Sequence, residues 1–327
     1  MNKILLIIPY FGQFNNYFSL FLESCRNNPT VNWLILTDDT TLYSYPNNVK
    51  VVYTTLSEIK SRIEKKIGFD IKLDTPYKLC DFKPTYGYVF DEYLKGYDFW
   101  GYCDTDMIFG NIRTFITDDI LNKSDKVLSR GHLSLWRNCK KMNEFFMTST
   151  NGLYKSVFTS EQNFSFDEWG AKGVAHFIKK HITKDRFWDE IPFDDISTLK
   201  GNFVSSQRGK EGLSNTIYRY DHGELQRLSL FDSCVNRVNC KFENISHSGG
   251  YLHIPVLYIH LQKRKMLIKK GVADDQFLIV PPNKFIPYQE IDDVTLMKLG
   301  RKIWIYPQYF IIRYRNLLRK LKKFLHK

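Results

Sequence analysis

Apolar positions follow two rhythms along this chain. Ile4 to Ile8 is an unbroken apolar run, the pattern of a strand covered on both faces. Tyr17 to Cys25 carries Phe18, Phe21 and Leu22 at helical spacing, and Asn27-Asn28-Pro29 stops it. Val31 to Thr37 and Val49 to Thr54 read as two further strands. Leu56 to Ile67 returns to the helical period, with Ser57 as its expected N-cap. This opening predicts an α/β fold: an open, mostly parallel sheet flanked by helices. In such sheets ligands bind outside the carboxyl ends of the strands. The loop opened by Pro9-Tyr10 and the pair Asp38-Asp39 fall at those ends.

The next strand changes the picture. Phe99 to Cys103 is aromatic-rich and reads as buried, and it ends abruptly in Asp104-Thr105-Asp106. Two carboxylates at i, i+2 on a turn are acceptor-only groups that repel unless a cation sits between them. Mg²⁺ and Mn²⁺ suit such a pair, because both favour hard oxygen ligands and leave positions open for phosphates. The alternative is a polar turn whose Asp residues cap the next segment of chain. Ahead of this strand, Thr75 to Lys95 holds Lys78, Asp81 and Lys83-Pro84, then a helical stretch through Val89, Phe90 and Leu94. Its two lysines are either surface charge on a helix or cations that approach a phosphate or carboxylate.

Beyond the carboxylates, Lys126 to Ser129 and Leu133 to Trp136 read as strands around the turn Arg130-Gly131-His132. Lys141 to Phe146 reads as helical, and Ala171 to His181 as a helix with Val174, Phe177 and Ile178 on one face. Asp167 and Glu168 stand at its expected start, where they complement the helix dipole or supply acid–base chemistry. Asp185 to Gly223 is polar and Gly-containing, and reads as a loop or insertion. Ser229 to Cys240 and Lys241 to Ile245 read as strands. Ile254 to His260 reads as one apolar strand, ending in His260 just before Lys263-Arg264-Lys265. Imidazole suits Mn²⁺ as a third ligand, and the cations suit a diphosphate. The alternative is an edge histidine followed by a solvated basic turn.

Charge sharpens the reading of the C-terminus. The net charge is +12, yet ten Lys and Arg residues lie between Lys298 and Lys327, and no acidic residue follows Asp293. Phe310, Ile311, Tyr314, Leu317, Leu318, Leu321, Phe324 and Leu325 recur at i, i+3, i+4, i+7, with Arg and Lys on the opposite face. Residues 304–327 therefore predict a basic amphipathic helix lying in the plane of an anionic membrane surface, anchored by Trp304, Tyr306 and Tyr309. A nucleic-acid partner is not expected, because the body lacks a basic–aromatic groove. The length suits one large domain, about 1–300, with 301–327 as an appendage. The six cysteines include no Cys-x-x-Cys pair, which argues against a structural zinc site and suits a reducing compartment. The N-terminal apolar run is too short for a signal peptide, and no stretch is long and apolar enough to span a bilayer. The expected location is cytoplasmic.

The segment Lys78-Leu79-Cys80-Asp81-Phe82-Lys83-Pro84-Thr85-Tyr86-Gly87, followed by Tyr97-Asp98-Phe99-Trp100-Gly101-Tyr102-Cys103-Asp104-Thr105-Asp106, resembles GT-A-fold bacterial glycosyltransferases of surface-polysaccharide (capsule and O-antigen) synthesis. The resemblance covers roughly residues 1 to 270. It implies a Rossmann-related, GT-A-like domain, with a nucleotide-binding half at about 1–110 and an acceptor half at about 111–300. It implies a nucleotide-sugar donor, with UDP as the nucleotide, Mn²⁺ or Mg²⁺ as cofactor, and a lipid-linked or growing glycan as acceptor. The enzyme would work at the inner face of the plasma membrane. Asp104, Asp106 and His260 would hold the metal, Asp104 also facing the ribose beside Thr105. Pro9 and Tyr10 would lie along the base or ribose, with Asp38 or Asp39 near the base. Lys83 and Lys78 would reach the nucleotide or donor sugar, and Lys263 and Arg264 the diphosphate. Asp167 or Glu168 would be the base of an inverting reaction, and His132 would lie on the acceptor side. A retaining reaction would need no such base. The other class of function that fits these features is a non-catalytic, membrane-bound nucleotide-sugar-binding or scaffold protein.

Overall fold

The apolar runs near the N-terminus lack alternation because they lie inside a sheet. In the computed structural model, the described residues are 1–169, 172–206, 213–231, 246–248, 250–262, 264–303, 306, 307, 309–311, 313, 314, 317 and 318. The chain divides into two compact units. The first comprises Met1–Asn15, Asn28–Thr105 and Arg113–Glu190, and the second Asn16–Asn27, Asp106–Ile112 and Ile191–Lys327. These are structural units, whereas the nucleotide and acceptor halves expected above are functional assignments.

In the first unit, β1 (Ile4–Tyr10), β2 (Val31–Thr37), β3 (Val49–Tyr53) and β4 (Phe99–Cys103) pair in parallel in the order β3-β2-β1-β4. The next strand in sequence, β5 (Met107–Phe109), belongs to the second unit. The first sheet continues from β4 through β7 (Leu133–Arg137) and β6 (Lys126–Val127) to β8 (Phe187–Trp188). Only β7 runs antiparallel to its neighbours, so the sheet is mixed and mostly parallel. Every residue of β4 is buried, and Trp100 stacks on Trp136 of β7 with ring centroids 5.5 Å apart. The helix Leu56–Ile67 buries Ile59 and Ile63 in one apolar cluster with Leu5, Ile7, Leu34 and Leu36 of the sheet. The fold class expected from sequence, an α/β sheet flanked by helices, is what this unit shows.

The second unit is built differently. Its strands are β9 (Asp194–Asp195), β10 (Leu213–Asp221), β11 (Glu224–Phe231), β12 (Ser246–Ser248), β13 (Tyr251–Pro255), β14 (Tyr258–His260), β15 (Leu267–Ile268), β16 (Gln276–Val280) and β17 (Lys284–Pro287). Among the described residues seven of them form a sheet in the order β12-β13-β11-β10-β16-β17-β15, antiparallel except for the last pairing. A small sheet, β5-β14-β9, stands beside it in the same unit. The helix Phe18–Arg26 belongs here, with Phe21 against Phe109 at 6.0 Å between ring centroids.

Several local expectations are corrected. The N-cap of Leu56–Ile67 is Thr55, not Ser57: the Glu58 amide donates to Thr55 Oγ1 at 3.2 Å, and the Thr55 amide donates to the Glu58 carboxylate at 2.8 Å. The Thr-x-x-Glu spacing decides this, since only position N3 reaches back to the cap. The segment 185–223 is not a loop throughout, for it contains β8, β9 and β10. In β10 a register shift between Ser214 and Ile217, with Asn215 at φ 51°, breaks the alternation that would have marked a strand. Ile254 to His260 is not one strand. Pro255 has no N–H to continue the ladder, and the chain passes from β13 in one sheet to β14 in another. The helix expected from Ala171 starts at Val174, so Asp167 and Glu168 lie in a turn well before its first residue. Most of the run 229–245 expected as strands lies outside the described residues. Parts of the tail are helical, at 307, 309–311, 313, 314, 317 and 318; its remaining residues lie outside the described set. Among the described residues no helix is long and apolar enough to cross a membrane.

Candidate functional site

In the first unit the carboxyl end of β4 is organised by a buried lysine. Lys83 lies in a 3₁₀ segment, Pro76–Thr85, and its ammonium donates to Asp104 Oδ1 at 2.7 Å and to the Gly131 carbonyl at 2.8 Å. Asp167 Oδ2 is 3.5 Å away. Burial alone would pull this ammonium down, but Asp104, Cys80 and Asp167 outweigh it and hold it well above the usual lysine range. Burial pushes the Asp167 carboxyl up to about 7, and Lys83 opposes the shift. Surface charge is therefore the wrong description of Lys83 and equally of Lys78, which is 3% exposed.

Lys78 has a different task. It donates to Asp81 Oδ2 at 2.8 Å and to the carbonyls of Val157 and Gln162, which accounts for its three donors. Asp81, fully buried, accepts from the amides of Phe164 and Phe166. This ion pair pins the turn that carries Asp167 and Glu168. Glu168 Oε1 accepts from the Gly131 amide at 3.1 Å. Gly131 thus joins Lys83 through its carbonyl to Glu168 through its amide. A Cβ there would meet Glu168 Oε1 at 2.5 Å and Asp167 Oδ2 at 2.7 Å, so a larger residue would push both carboxylates aside. The neighbouring His132 is buried and its carbonyl accepts from the Asp104 amide at 3.1 Å.

At the ends of β1 and β2 two carboxylates shape the following loop. Asp38 accepts from the Gly12 amide at 2.8 Å, and Asp39 from the amides of Phe14 and Thr41 at 2.9 Å each. Burial pushes the Asp39 carboxyl up, but the bonds from Thr41 and Phe14 prevail and hold it below its usual range. Pro9 precedes Tyr10, whose hydroxyl donates to the Gln13 carbonyl at 3.0 Å and whose ring stacks on Phe14 at 4.5 Å. Thr105 is buried, and its carbonyl accepts from Asn15.

In the second unit the small sheet places three polar residues in line. Antiparallel register sets His260 opposite Met107, and the Leu261 amide donates to the Asp106 carbonyl at 2.9 Å. Parallel register sets His260 opposite Asp195. His260 Nδ1 lies 2.8 Å from Asp195 Oδ1, and His260 Nε2 lies 3.2 Å from Asp106 Oδ1. Asp195 also accepts from Ser206 and Gln262. A carboxylate only accepts, so Asp195 places a proton on Nδ1 and leaves the Nε2 lone pair of a neutral ring facing Asp106. Two acceptors at that distance call for a proton or a metal cation between them.

Arg264, expected at a diphosphate, is only 1% exposed. It donates to the carbonyls of Pro282, Ser197 and Lys200 and to the Tyr306 hydroxyl. Burial lowers its guanidinium below the usual range. It ties chain segments together. Lys263 lies outside the described residues. Asp195 is the site residue that sequence reasoning passed over. Its signal was the acid pair Asp194-Asp195 between Phe193 and Ile196, in a segment otherwise read as loop.

Residues 6–289 match the model described as "Family of unknown function (DUF6625)". The chain belongs to this family. The family model thus spans the first sheet, the Asp-Thr-Asp turn and His260 together, and stops short of the basic tail. No curated protein matches the sequence. Solved structures similar to it include glycosyltransferases. One is the galactosyltransferase LgtC in complex with donor and acceptor sugar analogues: 13% identity, TM-score 0.35, covering 60% of this chain and 76% of that one. Another is mouse xyloside xylosyltransferase 1: 10% identity, TM-score 0.36, covering 60% of this chain and 88% of that one. A third is GlyE from Streptococcus pneumoniae TIGR4: 14% identity, TM-score 0.31, covering 58% of this chain and 45% of that one.

Proposed function

We propose that this family member is a metal-dependent glycosyltransferase that moves a sugar from a nucleotide-sugar donor, with UDP as the nucleotide, to a lipid-linked or growing cell-surface glycan. The observation that carries the proposal is His260, oriented by Asp195 and facing Asp106. An imidazole whose second nitrogen rests on a carboxylate is the usual support of a metal-binding histidine. Asp106 and His260 are the two ligands for Mn²⁺ or Mg²⁺ that this geometry supplies. Asp104, separated from Asp106 by Thr105 alone, is assigned as a third on sequence. When bound, the cation offsets the negative charge that grows on the departing nucleoside diphosphate.

The chain's own residues do the rest. Lys83 fixes the Asp104 carboxylate and keeps a positive charge at the end of β4. Glu168 is the base that takes the acceptor hydroxyl proton in an inverting transfer. Its Oε1 is held by the Gly131 amide, and Oε2 has no hydrogen-bond partner among the described residues. Asp167, buried against Lys83, is the less accessible of the two carboxyls. Tyr10 and the loop braced by Asp38 and Asp39 receive the base and ribose. His132 lies on the acceptor side. Lys78 and Arg264 are left out of the donor site, because their donors are held by buried carboxylate, carbonyl and hydroxyl groups.

The tail holds the enzyme against the cytoplasmic face of the plasma membrane, near a lipid-linked acceptor. Phe310, Ile311, Tyr314, Leu317 and Leu318 are all exposed apolar residues, in a stretch without acidic side chains, which supports that reading.

Calorimetric binding of UDP, with and without Mn²⁺, to wild type and Asp106→Asn tests the core of the proposal. Metal-dependent binding that disappears in the variant is expected. Metal-independent binding, or none of UDP, GDP, CDP or TDP, would remove its basis.

A further inference from the structure

Trp169 stands apart from the other tryptophans of the first unit. Trp33, Trp100 and Trp136 are fully buried, and Trp188 is half-buried. Trp169 is 37% exposed and follows Glu168 directly in the chain. Exposing an indole forgoes a large apolar contribution, so its position calls for a reason. The ring is not loosely placed. Lys179, on the helix Val174–His181, sets its ammonium 4.1 Å from the ring centroid. The turn beneath it is tightly built. The Glu168 amide donates to the Ser165 carbonyl at 3.0 Å, and Ser165 itself adopts a left-handed conformation with φ 51°. The Val174 amide donates to the Phe166 carbonyl at 2.7 Å. A Cβ at Gly173 would lie 1.9 Å from the Glu168 carbonyl, so glycine there is required for the turn to close. The buried Lys78–Asp81 pair pins the same turn from below.

We propose that Trp169 is the platform on which a sugar ring of the glycan acceptor lies, with its hydroxyl presented to Glu168. The face of an indole carries partial negative charge, which is why it attracts the Lys179 ammonium. The opposite face, away from Lys179, carries the same charge and attracts the weakly positive C–H bonds that a pyranose gathers on one side of its ring. Stacking of this kind selects for ring shape and orientation rather than for single hydroxyls. The acceptor class is therefore a pyranoside with an uninterrupted C–H face. Platform and base are consecutive in the chain, and this adjacency is what links a ring seated on Trp169 to the Glu168 carboxylate. This rests on the assignment of Glu168 above.

The probes are methyl β-D-galactopyranoside, methyl β-D-glucopyranoside and methyl 2-acetamido-2-deoxy-β-D-glucopyranoside, added to the full chain and read by saturation-transfer NMR. At least one should bind, with transfer strongest to the protons of one ring face. Trp169→Ala should weaken that binding roughly fivefold to tenfold, the size of one aromatic contact, and Trp169→Phe should restore most of it. Circular dichroism of each variant checks the fold. Failure of all three glycosides to bind wild type, or undiminished binding by a folded Trp169→Ala, would overturn the platform. Glu168→Gln separates the two readings. If it keeps full transfer activity, the assignment of the base fails while the glycoside measurements still decide the role of Trp169.

Discussion

His260 Nδ1 lies 2.8 Å from Asp195 Oδ1. That contact fixes the tautomer and aim of the ring before any ligand arrives. Asp195→Asn keeps the shape but removes the negative charge behind the imidazole. We expect Mn²⁺ affinity to fall by about 10–100-fold, the usual effect of losing an outer carboxylate. Calorimetric titration with Mn²⁺ measures this directly.

Lys83 joins Asp104 and Asp167 in a largely buried cluster. Lys83→Met leaves both carboxylates without their cation, and should cost about 3–5 kcal/mol in urea unfolding. Adding Asp167→Asn to that variant should recover part of the loss, because a neutral amide tolerates burial better than a carboxylate. Strictly additive losses would show that the two groups do not interact.

Asp81 holds the turn of Asp167, Glu168 and Trp169 through the Phe164 and Phe166 amides. Asp81→Ala orphans those amides and Lys78 together. Stability should fall by about 3–5 kcal/mol, and the Phe166 amide should lose its protection against hydrogen exchange. Asp81→Asn, which still accepts from the amides, should lose less.

Lys126 is fully buried, with Nζ against the carbonyls of Leu128 and Leu135 and the Ser134 hydroxyl. Burial lowers its ammonium well below the usual lysine range, against a small opposing pull from Asp189. Between the folded value and the ordinary one, the unfolded chain binds a proton that the folded chain does not. Wild-type stability should therefore rise with pH across that window and fall as pH drops through it. Lys126→Met lacks this slope. The stability of the variant relative to wild type should decline with rising pH through that window, as read by denaturant midpoints.

Deleting residues 307–327, which leaves Tyr306 on the buried Arg264, should release the protein from vesicles rich in anionic lipid, with turnover on a soluble acceptor preserved. Co-sedimentation with vesicles checks the first part. A truncated chain that still sediments would move the anchor elsewhere.

The first sheet was legible in sequence because its strands are buried on both faces and its helix Leu56–Ile67 carries a clear period. Asp104, Asp106 and His260 stood out as candidates for a related reason: each is a polar residue ending or following a buried strand. The second sheet was not. Its strand β10 carries a bulge at Asn215, and Pro255 divides a run that looks continuous on paper. Lys78 and Lys83 stayed open between surface charge and site cations because lysine is ordinarily a surface residue. Their partners, Asp81 three residues on and Asp104 across the unit, show their role only in three dimensions. Asp195 was hidden by the polar segment around it.

The interleaving of the two units bears on how the chain is made. The helix Phe18–Arg26 and the strand β5 belong to the second unit, yet most of that unit begins at Ile191. On the ribosome both segments emerge long before β14, the strand that β5 pairs with. Until then Phe21, Ile108 and Phe109, all fully buried in the finished protein, remain without their cover. A product truncated near Glu190 carries the whole first sheet together with these orphaned apolar surfaces, which favour aggregation. Late arrest of synthesis is therefore more harmful to this protein than its tidy first sheet would imply, and neither unit can be cut out as one uninterrupted piece of gene.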